Sequence, residues 1–216
     1  MKDKLIEKIR QQKKIPILGK LSSSDIVNNF NKLIKANFEI IEITLRTEDA
    51  LETAIRMKEN FPKAIIGIGS IRSLDVLKEV SKYNFDFYVS PGINLNLLDY
   101  SSEKKLNYIP GVSTPSEIMT AIEYDKTVVK YFHAEKNGGI KSLEFLYEVF
   151  ENIKFIPTGG ITLQNYAGIF DLLGLRSTPL RPNTIDQIQR LPVPSIAIIN
   201  KKPILIWEQK QNSILI

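Results

Sequence analysis

The segment FEIIEITLRTEDALETAIRMKENFPKAIIGIG, residues 38–69, contains a strand, a helix and a second strand in succession. Two apolar, β-branched runs, Phe38–Leu45 and Ala64–Gly69, predict buried strands at its two ends. Between them, Thr47-Glu48-Asp49 supplies capping residues and an acidic first turn before an apolar stripe with helical spacing. The segment therefore predicts a βαβ unit, in which a helix joins two parallel strands.

The same pattern recurs along the chain, with a new strand about every 20 to 25 residues, which is the period of a βα unit. The other predicted strands are Ile15–Leu18, Asp86–Ser90, Asn107–Pro110, Thr127–Phe132 and Lys154–Pro157. Further helix starts are predicted at Ser22–Asp25 and at Thr114-Pro115-Ser116-Glu117. Only one glycine follows the first predicted strand, whereas doubly wound sheets have a Gly-rich loop there, so the α/β pattern favours a (β/α)8 TIM-type barrel.

The C-terminal part of the chain departs from this repeat. After a predicted helix around Tyr166–Leu173 come several prolines, and then the runs Ser195–Asn200 and Pro203–Trp207, which predict a β-hairpin. We therefore expect a barrel domain over residues 1–174 and an atypical segment over 175–216 packed on the same domain. The eighth βα unit would be atypical or replaced by this hairpin-like tail.

The composition excludes several kinds of chemistry. The 216 residues include no cysteine and one histidine, which excludes a Cys nucleophile, a Cys-ligated metal centre and a site with two histidine ligands. Acid–base catalysis would then depend on Glu, Asp, Lys or Tyr. The net charge of +5 is dispersed, which gives no support to nucleic-acid binding. No apolar run is long enough to span a membrane and residues 1–14 lack a signal-peptide core, so we expect a cytoplasmic protein.

Two predicted strands place charged residues where a buried strand should be apolar. In residues 40–46, alternation puts Glu42, Thr44 and Arg46 on one face, either as a structural Glu42–Arg46 pair or as groups used in chemistry. Lys130 lies in the apolar strand Thr127–Phe132, where burial would partly remove the amine from water. A neutral amine in an apolar pocket suits Schiff-base chemistry, whereas a lysine at a strand end commonly extends to solvent.

A Gly-Gly turn follows the last predicted strand. Gly159 and Gly160 lack side chains, so backbone N–H groups could approach an anion there. The loop after the seventh strand of a TIM barrel is a common phosphate site, although Gly-Gly is also a frequent turn.

Six segments together resemble the bacterial family of 2-dehydro-3-deoxy-6-phosphogluconate (KDPG) and 4-hydroxy-2-oxoglutarate (KHG) aldolases. In order, they are IIEITLRTEDAL, AIIGIGSIRS, VSPGIN, YIPGVSTPSE, VKYFHAEKNGG and FIPTGGITLQNY, and the resemblance covers residues 15–170. It implies a small (β/α)8 barrel, usually a homotrimer, and a class I Schiff-base mechanism without metal or cofactor. The implied substrate is a small 2-oxo acid that is cleaved to pyruvate and either glyceraldehyde 3-phosphate or glyoxylate.

The resemblance also implies roles for individual residues. Lys130 would be the Schiff-base lysine and Glu42 the general acid/base, while Arg46 would bind the pyruvate carboxylate. The remaining implied substrate-binding residues are Ser70 (Thr in the family), Pro91, Phe132, Gly159 and Gly160.

The chain departs from the family pattern at two places. The family's Gly-Gly-Ser after the eighth strand is replaced by Pro179, Leu180 and Arg181, and its proline after the lysine strand is replaced by His133, interpreted as a loop substitution. Two alternatives follow: an aldolase of the same mechanism acting on an unphosphorylated acid, and a non-catalytic barrel acting as a binding or assembly module. The second would use an exposed hairpin edge in the divergent tail.

Overall fold

Every predicted strand that falls on described residues contains a strand in the computed structural model, which describes residues 2–12, 14–160 and 195–198. The strands are β1 Lys14–Leu18, β2 Ile40–Thr44, β3 Ile65–Gly69, β4 Phe87–Val89, β5 Tyr108–Ile109, β6 Gly111–Val112, β7 Val128–Phe132, β8 Lys154–Thr158 and β9 Ser195–Ile198. The helices are α1 Lys2–Gln12, α2 Ser23–Lys35, α3 Ala50–Asn60, α4 Leu74–Val80, α5 Leu95–Glu103, α6 Pro115–Glu123 and α7 Gly139–Val149, with a 3-10 turn at Ser81–Tyr83.

The three helices whose starts the sequence predicts, α2, α3 and α6, begin at or next to those residues. Ser22 caps α2 by accepting a hydrogen bond from the backbone N–H of Asp25 at 3.2 Å. Thr114 and Glu117 form a reciprocal capping box at α6, with Pro115 in the first turn. Asp49 precedes α3 but makes no side-chain capping bond.

The parallel strands follow one another in chain order. One sheet has the order β5-β4-β3-β2-β1-β9, and a second has the order β6-β7-β8. Pro110 lies between β5 and β6, and because proline has no N–H it interrupts the ladder there. The Pro110 carbonyl still accepts a hydrogen bond from the Lys130 N–H at 2.9 Å. The segment that contains β5, Pro110 and β6 therefore links the two sheets.

β9 differs from the strand of a regular eighth unit because it runs antiparallel to β1. Lys14 pairs with Ile198 and Ile17 with Ser195. Cα atoms of β9 also lie within 8 Å of those of β8, so β9 is placed between the first and last parallel strands. The prediction of a TIM-type barrel with an atypical eighth unit is confirmed.

The other predictions for the tail lie outside the described residues. They are the helix around Tyr166–Leu173, the second hairpin arm Pro203–Trp207 and the substituted segment at Pro179–Arg181. The division into a barrel over 1–174 and a tail over 175–216 stays a prediction.

Side chains alternate between the barrel interior and the surrounding helices. The interior cluster consists of Ile15, Ile17, Ile40, Phe87, Val89, Ile109, Val128 and Ile156, with Ile9 of α1 packed at the same cluster. Neighbouring strand residues, such as Ile41 and Val129, face outward and pack against the helices. Burying such side chains stabilises the fold by roughly 1.5–3 kcal/mol each. Within the described ranges, no helix has the length and hydrophobicity of a membrane span.

Candidate active site

Glu42 and Lys130 meet inside the barrel. Glu42 lies on β2 and Lys130 on β7, and the distance from Oε1 of Glu42 to Nζ of Lys130 is 3.6 Å. Their side chains are 3% and 9% exposed, and Oε1 has no hydrogen-bond partner in the described part of the chain. An ion pair removed from water contributes little to stability unless further hydrogen bonds satisfy it. This pair is therefore better suited to chemistry than to holding the fold together.

Burial alone does not single out Lys130. Among the described residues, Lys14 and Lys126 are buried as well. Lys14 is the first residue of β1, and Lys126 lies just before β7, so both belong to the amino ends of the strands. Lys130 is the buried lysine that lies deeper in its strand and beside a carboxylate, at the end where barrel enzymes place their active sites.

Glycine at position 69 makes room for the carboxylate. A Cβ added to Gly69 would lie 2.0 Å from Oε1 of Glu42. Gly69 pairs with Thr44 of β2, so the Glu42 side chain extends along its neighbouring strand toward the carboxyl end. The glycine thus fixes the level in the barrel at which the carboxylate lies.

Arg46 and Ser70 form a second contact at the same end of the barrel. Nε of Arg46 donates a hydrogen bond to Oγ of Ser70 at 3.1 Å. Arg46 is exposed, so its terminal guanidinium nitrogens face an accessible region. The alternative of a structural Glu42–Arg46 pair is wrong, because the ion-pair partner of Glu42 is Lys130. Strand alternation predicts that both residues lie on one face, but β2 ends at Thr44, before Arg46, and alternation does not predict the partner of either residue.

The loop that contains Pro91 lies against β6. A Cβ on Gly111 would be 2.4 Å from the Pro91 carbonyl oxygen, and Gly111 is the β6 residue that pairs with Lys130. Buried Ser90 accepts hydrogen bonds from the Tyr108 hydroxyl at 2.7 Å and the Gly111 N–H at 3.3 Å. Burial raises the pKa of Tyr108 to about 12, so its phenol stays a donor. This network places the Pro91 loop beside the lysine strand.

Phe132, His133 and the Gly-Gly turn lie together at the carboxyl ends of β7 and β8. Nζ of Lys130 is 5.4 Å from the centroid of the Phe132 ring, and the centroids of the Phe132 and His133 rings are 5.1 Å apart. Gly159 and Gly160 have φ of +94° and +73°, conformations that favour glycine. A Cβ on Gly159 would lie 2.7 Å from the imidazole of His133. The strand β7 ends at Phe132, one residue before His133.

Sequence reasoning found most of these residues but missed two glycines. Gly69 and Gly111 each allow a close approach that a side chain would prevent. The signal available was a glycine inside an apolar strand, which often marks close approach of another group. Within the described ranges, no cluster of three potential metal ligands is present.

Comparison with known proteins gives one consistent result. The model of the family described as KDPG and KHG aldolase matches residues 5–175. The 2-dehydro-3-deoxy-phosphogluconate aldolase of Dickeya dadantii is 39% identical over 145 residues, which are 67% of this chain and 67% of that protein.

Two solved structures are similar to the chain. One is the 2-keto-3-deoxy-6-phosphogluconate aldolase of Zymomonas mobilis ZM4 with 3-phosphoglycerate, with TM-score 0.73, 28% identity and coverage of 80% of this chain and 81% of that one. The other is KDPG aldolase from Legionella pneumophila with pyruvate captured as a covalent carbinolamine, with TM-score 0.69, 30% identity and coverage of 72% and 76%.

Proposed function

Because the chain belongs to the KDPG and KHG aldolase family, we propose that Lys130 is its Schiff-base lysine and Glu42 its general acid/base. The protein is an aldehyde-lyase that cleaves a carbon–carbon bond and releases pyruvate. The observation that supports the residue assignment best is the 3.6 Å approach of Lys130 Nζ to Glu42 Oε1 in a buried interior.

The proposed reaction begins with attack of the Lys130 amine on the C2 carbonyl of the 2-oxo acid. Glu42 is close enough to the amine to transfer protons while the carbinolamine loses water and becomes an iminium ion. Glu42 then accepts the proton of the C4 hydroxyl, the C3–C4 bond breaks, and its electron pair moves toward the iminium nitrogen to give an enamine. Protonation at C3 and addition of water release pyruvate and the free amine.

Arg46 and the Pro91 loop are proposed to hold the pyruvate half of the substrate. A guanidinium binds a planar carboxylate through two N–H groups, and the contact with Ser70 leaves the terminal nitrogens of Arg46 available. Phe132 supplies an apolar wall beside the amine. These residues would position C2 against Lys130.

The substrates proposed are KDPG, KHG or both. The Zymomonas enzyme was solved with 3-phosphoglycerate, which supports a phosphorylated acid here as well. The Gly159–Gly160 turn is proposed as part of the phosphate site, while the segment Pro179–Arg181 lies outside the described residues. Cleavage rates of KDPG and of 2-dehydro-3-deoxygluconate would separate the phosphorylated from the unphosphorylated preference.

Borohydride trapping tests the lysine assignment. The protein is incubated with pyruvate, reduced, digested and mapped by mass spectrometry, and the adduct is expected on Lys130. Lys14 and Lys126 are internal controls, because they are buried too and should remain unmodified. The variant Lys130→Met should form no adduct and lose cleavage. An unmodified Lys130 would contradict the assignment and favour the non-catalytic alternative.

The family resemblance also supports a homotrimer and a cytoplasmic location. Both remain predictions, which size-exclusion chromatography with light scattering and cell fractionation would test.

A further inference from the structure

The single histidine lies on the turn at the distal end of the candidate site. His133 follows β7 directly, and its imidazole packs against Gly159, where a Cβ would lie 2.7 Å from Cγ and 2.8 Å from Nδ1. A Cβ on Gly160 would lie 3.4 Å from Cε1 of the same ring. Gly159 is therefore needed for the ring to lie where it does, whereas a Cβ on Gly160 would meet Cβ of Glu135, at 2.5 Å, before it met the ring.

The two ring nitrogens have different surroundings. Nδ1 is buried and has no hydrogen-bond partner among the described residues. A buried N–H without an acceptor is costly, which favours the tautomer with its hydrogen on Nε2. No hydrogen bond between described residues uses Nε2, so this donor is available to a ligand. The carboxylate of Glu135 is turned toward the start of α7, with Oε2 3.4 Å from a Cβ placed on Gly139.

The distance from the lysine suits the far end of a substrate. Nζ of Lys130 is 5.4 Å from the Phe132 ring centroid, which is 5.1 Å from the His133 ring centroid, so the amine and the imidazole lie at most about 10.5 Å apart. In KDPG, five atoms separate C2 from phosphorus, a span of about 7 Å when extended. A substrate joined to Lys130 through C2 can therefore extend past Phe132 to His133.

We propose that His133 determines specificity by donating a hydrogen bond from Nε2 to the anionic distal group of the substrate. The group would be the phosphate of KDPG, which offers charged oxygen acceptors at this distance from C2. This inference rests on the proposed function, because it assumes that C2 is bound at Lys130. Family members with proline at this position lack such a donor.

Two variants test the proposal. His133→Phe keeps a ring on Gly159 but removes the donor, whereas His133→Gln keeps an N–H donor. The KM for KDPG and the inhibition constant of inorganic phosphate should both rise about tenfold or more in His133→Phe, the loss expected for a hydrogen bond to a charged group. His133→Gln should recover much of this loss. The kcat/KM for 2-dehydro-3-deoxygluconate, whose distal group is a neutral hydroxyl, should change little.

Equal losses with the phosphorylated and neutral acids, or an unchanged KM and phosphate inhibition, would overturn the proposal. Trapping of pyruvate on Lys130 separates this result from a failure of the proposed function. If trapping is normal in the wild type and in both variants, an unchanged KM counts against His133 alone.

Discussion

At the residue scale, Gly69 determines where the Glu42 carboxylate lies. The backbone of Gly69 is in an ordinary conformation, and the three atoms nearest to a Cβ added there all belong to Glu42: Oε1 at 2.0 Å, Cδ at 2.8 Å and Cγ at 3.0 Å. Alternation along β2 predicts that Glu42 shares a face with Thr44 and Arg46, and the family resemblance adds its role. Neither predicts the partner of Glu42 across the barrel or the space that Gly69 provides. Strand periodicity gives the face on which a side chain lies, but not the groups that the side chain contacts.

Gly69→Ala is therefore expected to impair catalysis by displacing the carboxylate from Lys130. We expect kcat for KDPG cleavage to fall roughly 10²-fold, in the range seen when general acid–base catalysis is lost. The melting temperature should fall only modestly, since overpacking of this kind costs about 1–3 kcal/mol.

The double variant Glu42→Ala/Gly69→Ala is the control. Glu42→Ala removes the three atoms nearest to the added methyl group, so the kcat of the double variant should equal that of Glu42→Ala alone. Two results would show that the glycine does not act through Glu42. One is full activity of Gly69→Ala, and the other is a loss of kcat in the double variant equal to the product of the losses in the two single variants.

At the scale of the elements, the predicted strands that fall on described residues are strands in the structure, but their first and last residues differ. The run Phe38–Leu45 predicts a longer strand than Ile40–Thr44. The run Asn107–Pro110 predicts one strand, whereas the structure has two short ones around Pro110. Hydrophobic runs report burial, while strand ends depend on which N–H groups find a partner. The capping box at α6 was more predictable, since its residues are local in sequence.

That capping box gives a pH-dependent prediction. Oε2 of Glu117 accepts from the N–H of Ser113 at 2.7 Å and of Thr114 at 2.9 Å. Burial raises the pKa of the Glu117 carboxyl, but the hydrogen bonds from Ser113 and Thr114 lower it more, to below its ordinary value of 4.5. The stabilisation is thus complete above pH 4.5 and is lost as the pH falls through the lower folded-state pKa.

Glu117→Ala should lower the free energy of unfolding at pH 7 by about 1 kcal/mol. Urea denaturation at several pH values measures this, and the difference from wild type should shrink in acid. The matched control is Glu123→Ala at the last residue of α6, an exposed glutamate whose side chain makes no hydrogen bond with the described residues. A loss of the same size in both variants would contradict the capping role.

At the scale of the whole molecule, the sequence predicts the strand β9 but not its pairing partner. The run Ser195–Asn200 predicts a strand, and the departure from the βα rhythm predicts an irregular eighth unit. The pairing of β9 with β1 joins residues far apart in the chain, and no local pattern specifies such a partner. Without β9, the N–H and C=O groups of β1 on that side would form an open edge.

Two truncations isolate this strand. A chain that ends at residue 198 keeps β9, and one that ends at residue 194 lacks it, so they differ only in Ser195–Ile198. The shorter chain should have the lower melting temperature and should associate more, as measured by differential scanning fluorimetry and light scattering. Identical stability and size distribution of the two chains would mean that β9 does not protect β1.

The direction of β9 also determines the end of the barrel at which its last residue lies. Ser195 lies beside Ile17, at the level of Glu42, whereas Ile198 lies beside Lys14 at the opposite end. An eighth strand parallel to β1 would instead have released the chain at the end that holds Lys130. A linker for surface immobilisation or a fused reporter domain joined to a chain that ends at Ile198 therefore starts from the side remote from Lys130, which makes Ile198 the preferred attachment point for a tethered biocatalyst.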